Sequence, residues 1–343
     1  MNQDMFTKLF KDGILMDVNV RFWSAAKALS ASDLGLKESD VAKAFHLGRK
    51  MLIPAEVIQD FRRIESRARR LVEVNSFHFP IGNARFIPKK KFSKVHKELN
   101  EFKEQYNALT EKLVENYEAY RLQMIPVYQE AAETAFLKSQ PSEKEFSIEG
   151  LEKEKEEFIN AFMARIQAYY PPASSLREKF DLNWDVFEVA MPKMEAGDAE
   201  EIADGQEKAE IAKLEYQKQV QDKMSGFVSE VVTTLRSQAI DLCNKVAENL
   251  KGKKVVHSRS LQSLRDYIDN FKELNFVGDT TVEAQLETFK KEFLDVHDAK
   301  TINESVDLQE ELSRKISSIV DVVSNVNDLN DVTGDYKRKV SWE

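Results

Sequence analysis

Five arginines fall within nine positions: Arg62, Arg63, Arg67, Arg69 and Arg70. On a helix, positions 62/66/69 and 63/67/70 are adjoining surface rows, so these guanidinium groups gather on one face. Arg85 and a lysine run, Lys89, Lys90, Lys91, Lys94 and Lys97, follow in the chain. Cations at this density hold phosphates or carboxylates, arginine through paired charge-assisted hydrogen bonds. Phe77, His78, Phe79 and Phe86 lie among them in sequence and would serve for base stacking. A second reading makes those aromatics sheet core and lets the basic face neutralise the chain's own acids or an acidic partner. A lysine triplet just inside a helix start opposes the macrodipole, which points to a purpose other than local stability.

Other chemistry is sparse. There is no G-x-x-x-x-G-K-[ST] and no G-x-G-x-x-G, so neither a phosphate cradle nor a dinucleotide turn is built. Asp181, Asp185 and Glu188 suggest a nuclease carboxylate set, but Ala190 stands where its lysine is needed. The five histidines are scattered, and Asp295, His297 and Asp298 are the nearest approach to a metal cluster. Neighbouring side chains on a helix diverge, so a metal is not expected there. The single cysteine, Cys243, lies on an apolar helical stripe and reads as a buried, inert thiol. We expect no catalytic residue, no metal, no cofactor and no enzymatic activity.

These residues must be positioned by a chain of 343 residues that is 32 % charged and holds only 11 glycines. That balance, with strong helical periodicity, indicates long helices. The net charge of −9 is uneven: residues 43–97 carry 14 Lys and Arg against 4 Asp and Glu, which leaves −19 on the remainder. A coat of nucleic acid along the whole chain is thereby disfavoured. The N-terminal stretch has no long apolar run, which argues against a signal peptide or membrane span and for the cytoplasm.

The periodicities predict a mainly α (α+β) protein. Residues 1–87 with 158–192 would form a small sheet-containing head, 88–157 and 193–252 two long antiparallel coiled-coil arms, and 253–343 a C-terminal helical bundle and tail. The head is organised around 158–192. There Phe158, Phe162, Ile166 and Tyr169 share a helical face, Pro171 and Pro172 stop the helix, and Phe180, Leu182, Trp184 and Val186 alternate as a strand with Trp184 as core. Residues 14–23 and 46–53 read as strands and 24–29 as a helical turn. Ser39 or Asp40 would cap a short helix running to Phe45. Strands at 77–81 and 84–87 flank a Gly82-Asn83 hairpin turn, and all the strands would join one sheet. A helix from Pro54 runs to about 75. In the first arm Phe92, Val95, Leu99, Phe102, Tyr106, Leu109 and Leu113 keep heptad spacing, a stutter follows at Tyr117, and Pro126 should kink the helix. Met5–Phe10 reads as a short helix, 139–147 as a loop, 192–197 as a linker with Asp198 as a helix cap, and the tail DYKRKVSWE as strand or disordered.

Three stretches together carry a resemblance: VRFWSAAKALSASDLGL at 20–36, PAEVIQDFRRIESRARRLVEVNSFHF with ARFIPKKKFSKV at 54–95, and YYPPASSLREKFDLNWDVFEVAMP at 169–192. They resemble a bacterial and phage family known as domain of unknown function 3150, in order, to about residue 250. The family carries no assigned catalytic residues. The resemblance implies a setting in phages and mobile elements, beside a MoxR-type AAA+ ATPase and a von Willebrand factor A protein, with recombination genes as frequent neighbours. A non-enzymatic adaptor of an ATPase machine is the expectation this supports. A nucleic-acid-binding accessory protein using the basic region 62–97 is the alternative.

Overall fold

The structure, a computed structural model, describes residues 9–80, 82, 84–140, 148–188, 206–253 and 255–342. The chain is mainly helical with a small antiparallel sheet. Packing divides it into two compact units. Unit 1 comprises Met1–Asp17, Leu71–His96 and Asp185–Glu343; unit 2 comprises Val18–Arg70 and Lys97–Trp184.

The first strand is Gly13–Arg21 (β1). Its alternation leads one to expect a single buried face, yet Leu15 and Met16 are both fully buried. In unit 1, β1 pairs antiparallel with Arg85–Pro88 (β5), Gly13 opposite Pro88 and Met16 opposite Arg85. Phe77–His78 (β4) pairs with β5 in turn, Phe77 opposite Phe86. The expected hairpin is therefore present as a strand pair, while Ile81 and Asn83 of its turn lie outside the described residues. Asp181–Phe187 (β6) lies next to β1, giving the order β4-β5-β1-β6.

A single sheet was the expectation; the described residues form two. Ala26–Ala28 (β2) and Arg49–Met51 (β3) form a separate antiparallel ladder in unit 2, with Lys27 opposite Lys50. Residues 24–29 are thus extended rather than a helical turn. The ladder is bracketed by Leu52 N–H donating to the Ala25 carbonyl and Leu29 N–H donating to the Gly48 carbonyl, at 2.7 and 3.1 Å. The short helix expected to reach Phe45 is a 3₁₀ turn over Glu38–Asp40 only.

Unit 2 holds Ala55–Val74 (α1) up to Arg70, and most of Lys89–Glu115 (α2), whose heptad residues Leu99, Phe102, Tyr106 and Leu113 are buried. The Tyr106 ring meets Phe61 of α1 edge-on at 5.1 Å, and its hydroxyl donates to the Arg21 carbonyl at 2.7 Å. Helix Tyr117–Ser139 (α3) follows after a break at Asn116, where φ is −100° and ψ is 7°. The interruption therefore falls at the stutter, and α3 runs on through Pro126. Ile148–Gln167 (α4) packs on α3 through Phe162, Ile166, Tyr128 and Ala132. The Pro-Pro stop is pinned by tyrosines: Tyr117 donates to the Pro171 carbonyl at 2.8 Å, and Tyr170 to the Leu52 carbonyl at 2.5 Å. On β6, Leu182 is fully buried, whereas Trp184 is half-exposed with Lys103 over its ring at 5.5 Å. Leu182 and not Trp184 is the strand's buried anchor.

Unit 1 is built on Gln206–Lys253 (α5). Met224, Phe227, Val228, Val231, Leu235, Cys243 and Val246 of its second half are buried, packed with Ser258–Leu274 (α6), Thr280–Phe289 (α7), Ala299–Glu304 (α8), Val306–Val323 (α9) and Val326–Trp342 (α10). These helices share one core with α5, which the sequence reading assigns to an arm, and the tail is helical to Trp342. Leu329, Val332, Thr333 and Tyr336 recur at helical spacing, and Tyr336 is buried. A π-turn over Lys290–Leu294 extends α7; Arg265 donates to the Leu294 and His297 carbonyls that this wider turn leaves free. Residues 1–8, most of the 139–147 loop, the 192–197 linker and Asp198 lie outside the described residues.

Candidate functional site

Helix α1 buries Ile58, Phe61, Ile64, Ala68 and Val72, an i, i+3, i+6, i+10, i+14 stripe. The opposite face must then carry the arginines, and all five of Arg62, Arg63, Arg67, Arg69 and Arg70 are exposed. Three of them are held by the unit's own groups. Arg63 pairs with Asp60 at 2.7 Å and Arg69 with Glu65 at 3.0 Å, one turn away in each case. The Arg67 guanidinium lies over the Phe102 ring at 4.6 Å. Arg62 and Arg70 make no side-chain hydrogen bond or ion pair among the described residues.

The second half of the basic run is in unit 1 and behaves differently. Arg85 is half-buried and donates to Ser76 Oγ at 3.0 Å and to the Glu73 carbonyl at 3.2 Å, closing the C-terminal turn of α1. Desolvation holds its guanidinium below the usual arginine range. Lys91 is buried, its ammonium paired with Glu273, so it is a bundle staple and not a surface cation. Lys89, Lys90 and Lys94 are exposed and carry no ion pair among the described residues. The aromatics weighed for base stacking are core: Phe79 and Phe86 are fully buried, Phe77 nearly so, in contact with Phe227 and Phe276. Only His78 of that group is exposed.

The other sequence candidates resolve simply. Asp181, Asp185 and Glu188 are exposed on and after β6. Asp295 faces Arg265 at 3.7 Å, His297 packs on Phe293, and Asp298 caps α8 by accepting from the Thr301 amide at 2.7 Å. That cap holds the Asp298 carboxyl below its ordinary range. No group of three metal-ligating side chains occurs among the described residues. Burial pushes the Cys243 thiol up to about 12, so it stays protonated and inert.

Two buried charge clusters escaped the sequence. In unit 2, Asp33 is buried between Lys50 at 2.6 Å and Arg165 at 3.3 Å, and Lys50 also lies over the Tyr169 ring at 5.0 Å. Burial raises the Asp33 carboxyl, but Lys50 and the Ser30 amide and hydroxyl outweigh it, so its pKa falls below the usual value. In unit 1, Arg236 is buried on α5 and bonds Asp279 at 2.7 Å, Asp328 at 2.8 Å and the Asn325 carbonyl at 3.2 Å. It gathers the turns before α7 and α10 onto α5. Neither cluster has a local spacing signal, because 132 residues separate Arg165 from Asp33 and 92 separate Arg236 from Asp328.

A family model described as a protein of unknown function, DUF3150, matches residues 10–309. The chain belongs to this family. No curated protein and no solved structure matches it. The DUF3150 match takes in the basic face of α1, Lys89, Lys90, Lys94, the Asp33 cluster, and Arg236 with Asp279; it ends within α9 at Gln309, so Asn325 and Asp328 lie beyond it. Of the basic run at 62–94, Arg62 and Arg70 in unit 2 and Lys89, Lys90 and Lys94 in unit 1 are exposed without an ion pair among the described residues.

Proposed function

We propose that this DUF3150 protein is a non-enzymatic accessory protein that docks an acidic protein partner on the exposed face of α1. The family resemblance implies a MoxR-type AAA+ ATPase and a von Willebrand factor A protein as that company. The observation that carries the reading is the state of the arginines. Arg63, Arg67 and Arg69 are pre-oriented by Asp60, Phe102 and Glu65, with Arg62 and Arg70 exposed on the same helix face. Ordered side chains lose less entropy on docking, which suits a protein face. Burial of Phe77, Phe79 and Phe86 removes the stacking platform that a single strand would need. The finer expectation of coiled-coil arms in α2 and α5 belongs to the same proposal and rests on the heptad spacing of α2.

A second reading, nucleic-acid binding, is favoured by one feature: Lys89, Lys90 and Lys94 are exposed and unpaired where the helix dipole disfavours them. One experiment separates the two. The variant with Arg62, Arg63, Arg69 and Arg70 all replaced by Gln should abolish any change the wild type makes in the turnover of the neighbouring AAA+ ATPase. Its DNA binding should stay weaker than about 1 μM near physiological salt, as for any basic patch. A tight, steeply salt-dependent wild-type DNA complex lost in this variant would overturn the adaptor reading.

A further inference from the structure

The loop between the 3₁₀ turn Ala31–Leu34 and β3 lines an open hollow of about 580 Å³ that none of the preceding functions uses. Its size is in the range of small-molecule sites, roughly 300–1,000 Å³. The loop is closed at both ends. Gly35 sits at φ +72°, its Cα so near the Ala135 carbonyl of α3 that an added Cβ would lie 2.2 Å from the oxygen. At the far end Gly48, at φ +82°, accepts from the Leu29 amide. A surface loop with pinned ends is a frequent carrier of function.

The lining has a consistent chemistry. Leu29, Ala31, Val41 and Leu47 supply aliphatic walls, and Phe45 lies at the mouth, 70 % exposed. Lys43, His46 and Arg49 line the same space, against one acid, Glu38. None of these three basic side chains makes a hydrogen bond or ion pair among the described residues. The contrast with the adjoining residue is informative. Lys50, next to Arg49 on β3, points to the other side of the strand and is neutralised by Asp33, while Arg49 has no counter-charge. Basic groups left unpaired around an apolar hollow, with an aromatic ring bare to water at its mouth, complement a ligand that is anionic at one end and flat and apolar at the other.

We propose that this cavity binds a small organic anion, its phosphate or carboxylate held by Lys43, His46 and Arg49 and its planar body stacked on Phe45. Isothermal titration of the intact chain with AMP, indole-3-acetate and inorganic phosphate tests this. One of the two planar anions should bind at least about ten-fold more tightly than phosphate, through the aromatic contact. AMP ahead of indole-3-acetate would identify a phosphate ligand, and the reverse order a carboxylate. The double variant Lys43→Gln/Arg49→Gln should weaken that binding at least about ten-fold. Phe45→Ala should erase the preference over phosphate and leave phosphate binding unchanged. All three side chains are exposed, so an unchanged Tm will show that the variants are folded. No binding of either planar anion at about 10 mM, far above ordinary site affinities, would overturn the proposal. So would binding that the Lys43/Arg49 variant leaves intact.

Discussion

Asp33 is a carboxylate buried in unit 2 beside a buried ammonium, so its ionisation is tied to folding. Its folded pKa lies below the unfolded value of about 3.9, so the pair with Lys50 contributes its full stability above that pH and loses it as pH falls through the folded pKa. Asp33→Asn should cost about 3–5 kcal/mol at pH 7, because it leaves Lys50 buried without its anion. Urea titrations should show that deficit shrinking as pH falls from about 3.9 through the folded pKa; a deficit unchanged from pH 7 across that fall would mean the charge on Asp33 is irrelevant. Arg236→Met should cost a similar amount, about 3–5 kcal/mol, by stranding Asp279. Adding Asp279→Asn should recover part of it, although Asp279 also caps α7 through the Val282 amide. Neither residue announced itself in the sequence. A buried pair between distant positions leaves no periodicity, whereas Cys243 on its apolar stripe and the outward arginines of α1 were legible from spacing alone.

Among the elements, helices were easier to read than strands. The α1 stripe and the α2 heptad rows repeat over many turns, so their buried positions follow from the pattern. β2 and β3 are three residues each and owe their pairing to the hydrogen bonds at Ala25 and Gly48, which no local signal encodes. The tail was misread because Leu329, Val332 and Tyr336 are sparse among polar residues. The kink was placed at Pro126, but the break is at Asn116, whose side chain takes the Lys112 carbonyl at 2.8 Å. Pro126 is exposed and contributes no amide, so Pro126→Ala should restore a helical hydrogen bond and raise stability by about 1–3 kcal/mol. A thermal scan showing destabilisation would mean that the proline shapes α3. On β6, Leu182→Ala should cost about 2–5 kcal/mol, and Trp184→Ala less, since that ring is only partly buried. Reversal of that order in denaturant unfolding would return Trp184 to the core.

At the scale of the whole molecule, Asp33 with Lys50 and Arg236 with Asp279 belong to different compact units and share no partner. Their substitutions should therefore add within about 0.5 kcal/mol in the double variant, and a larger coupling energy would refute independence. The order of the chain has a further consequence. Leu9, Phe10 and Leu15 are buried with Phe77, Phe79, Ala84 and Phe86 in a core whose larger part is Met224 and the helices after it, and Tyr336 donates to Asp12 at 2.9 Å. During translation these early apolar residues leave the ribosome with Phe79 and Phe86 but long before most of their partners exist. Val18–Arg70 and Lys97–Trp184 are by then complete and free to fold. A nascent chain stalled just before Met224 should accordingly resist protease across unit 2 while Leu9, Phe10 and Leu15 remain a ligand for holdase chaperones, and release of that chaperone should wait for α9 and α10 to emerge.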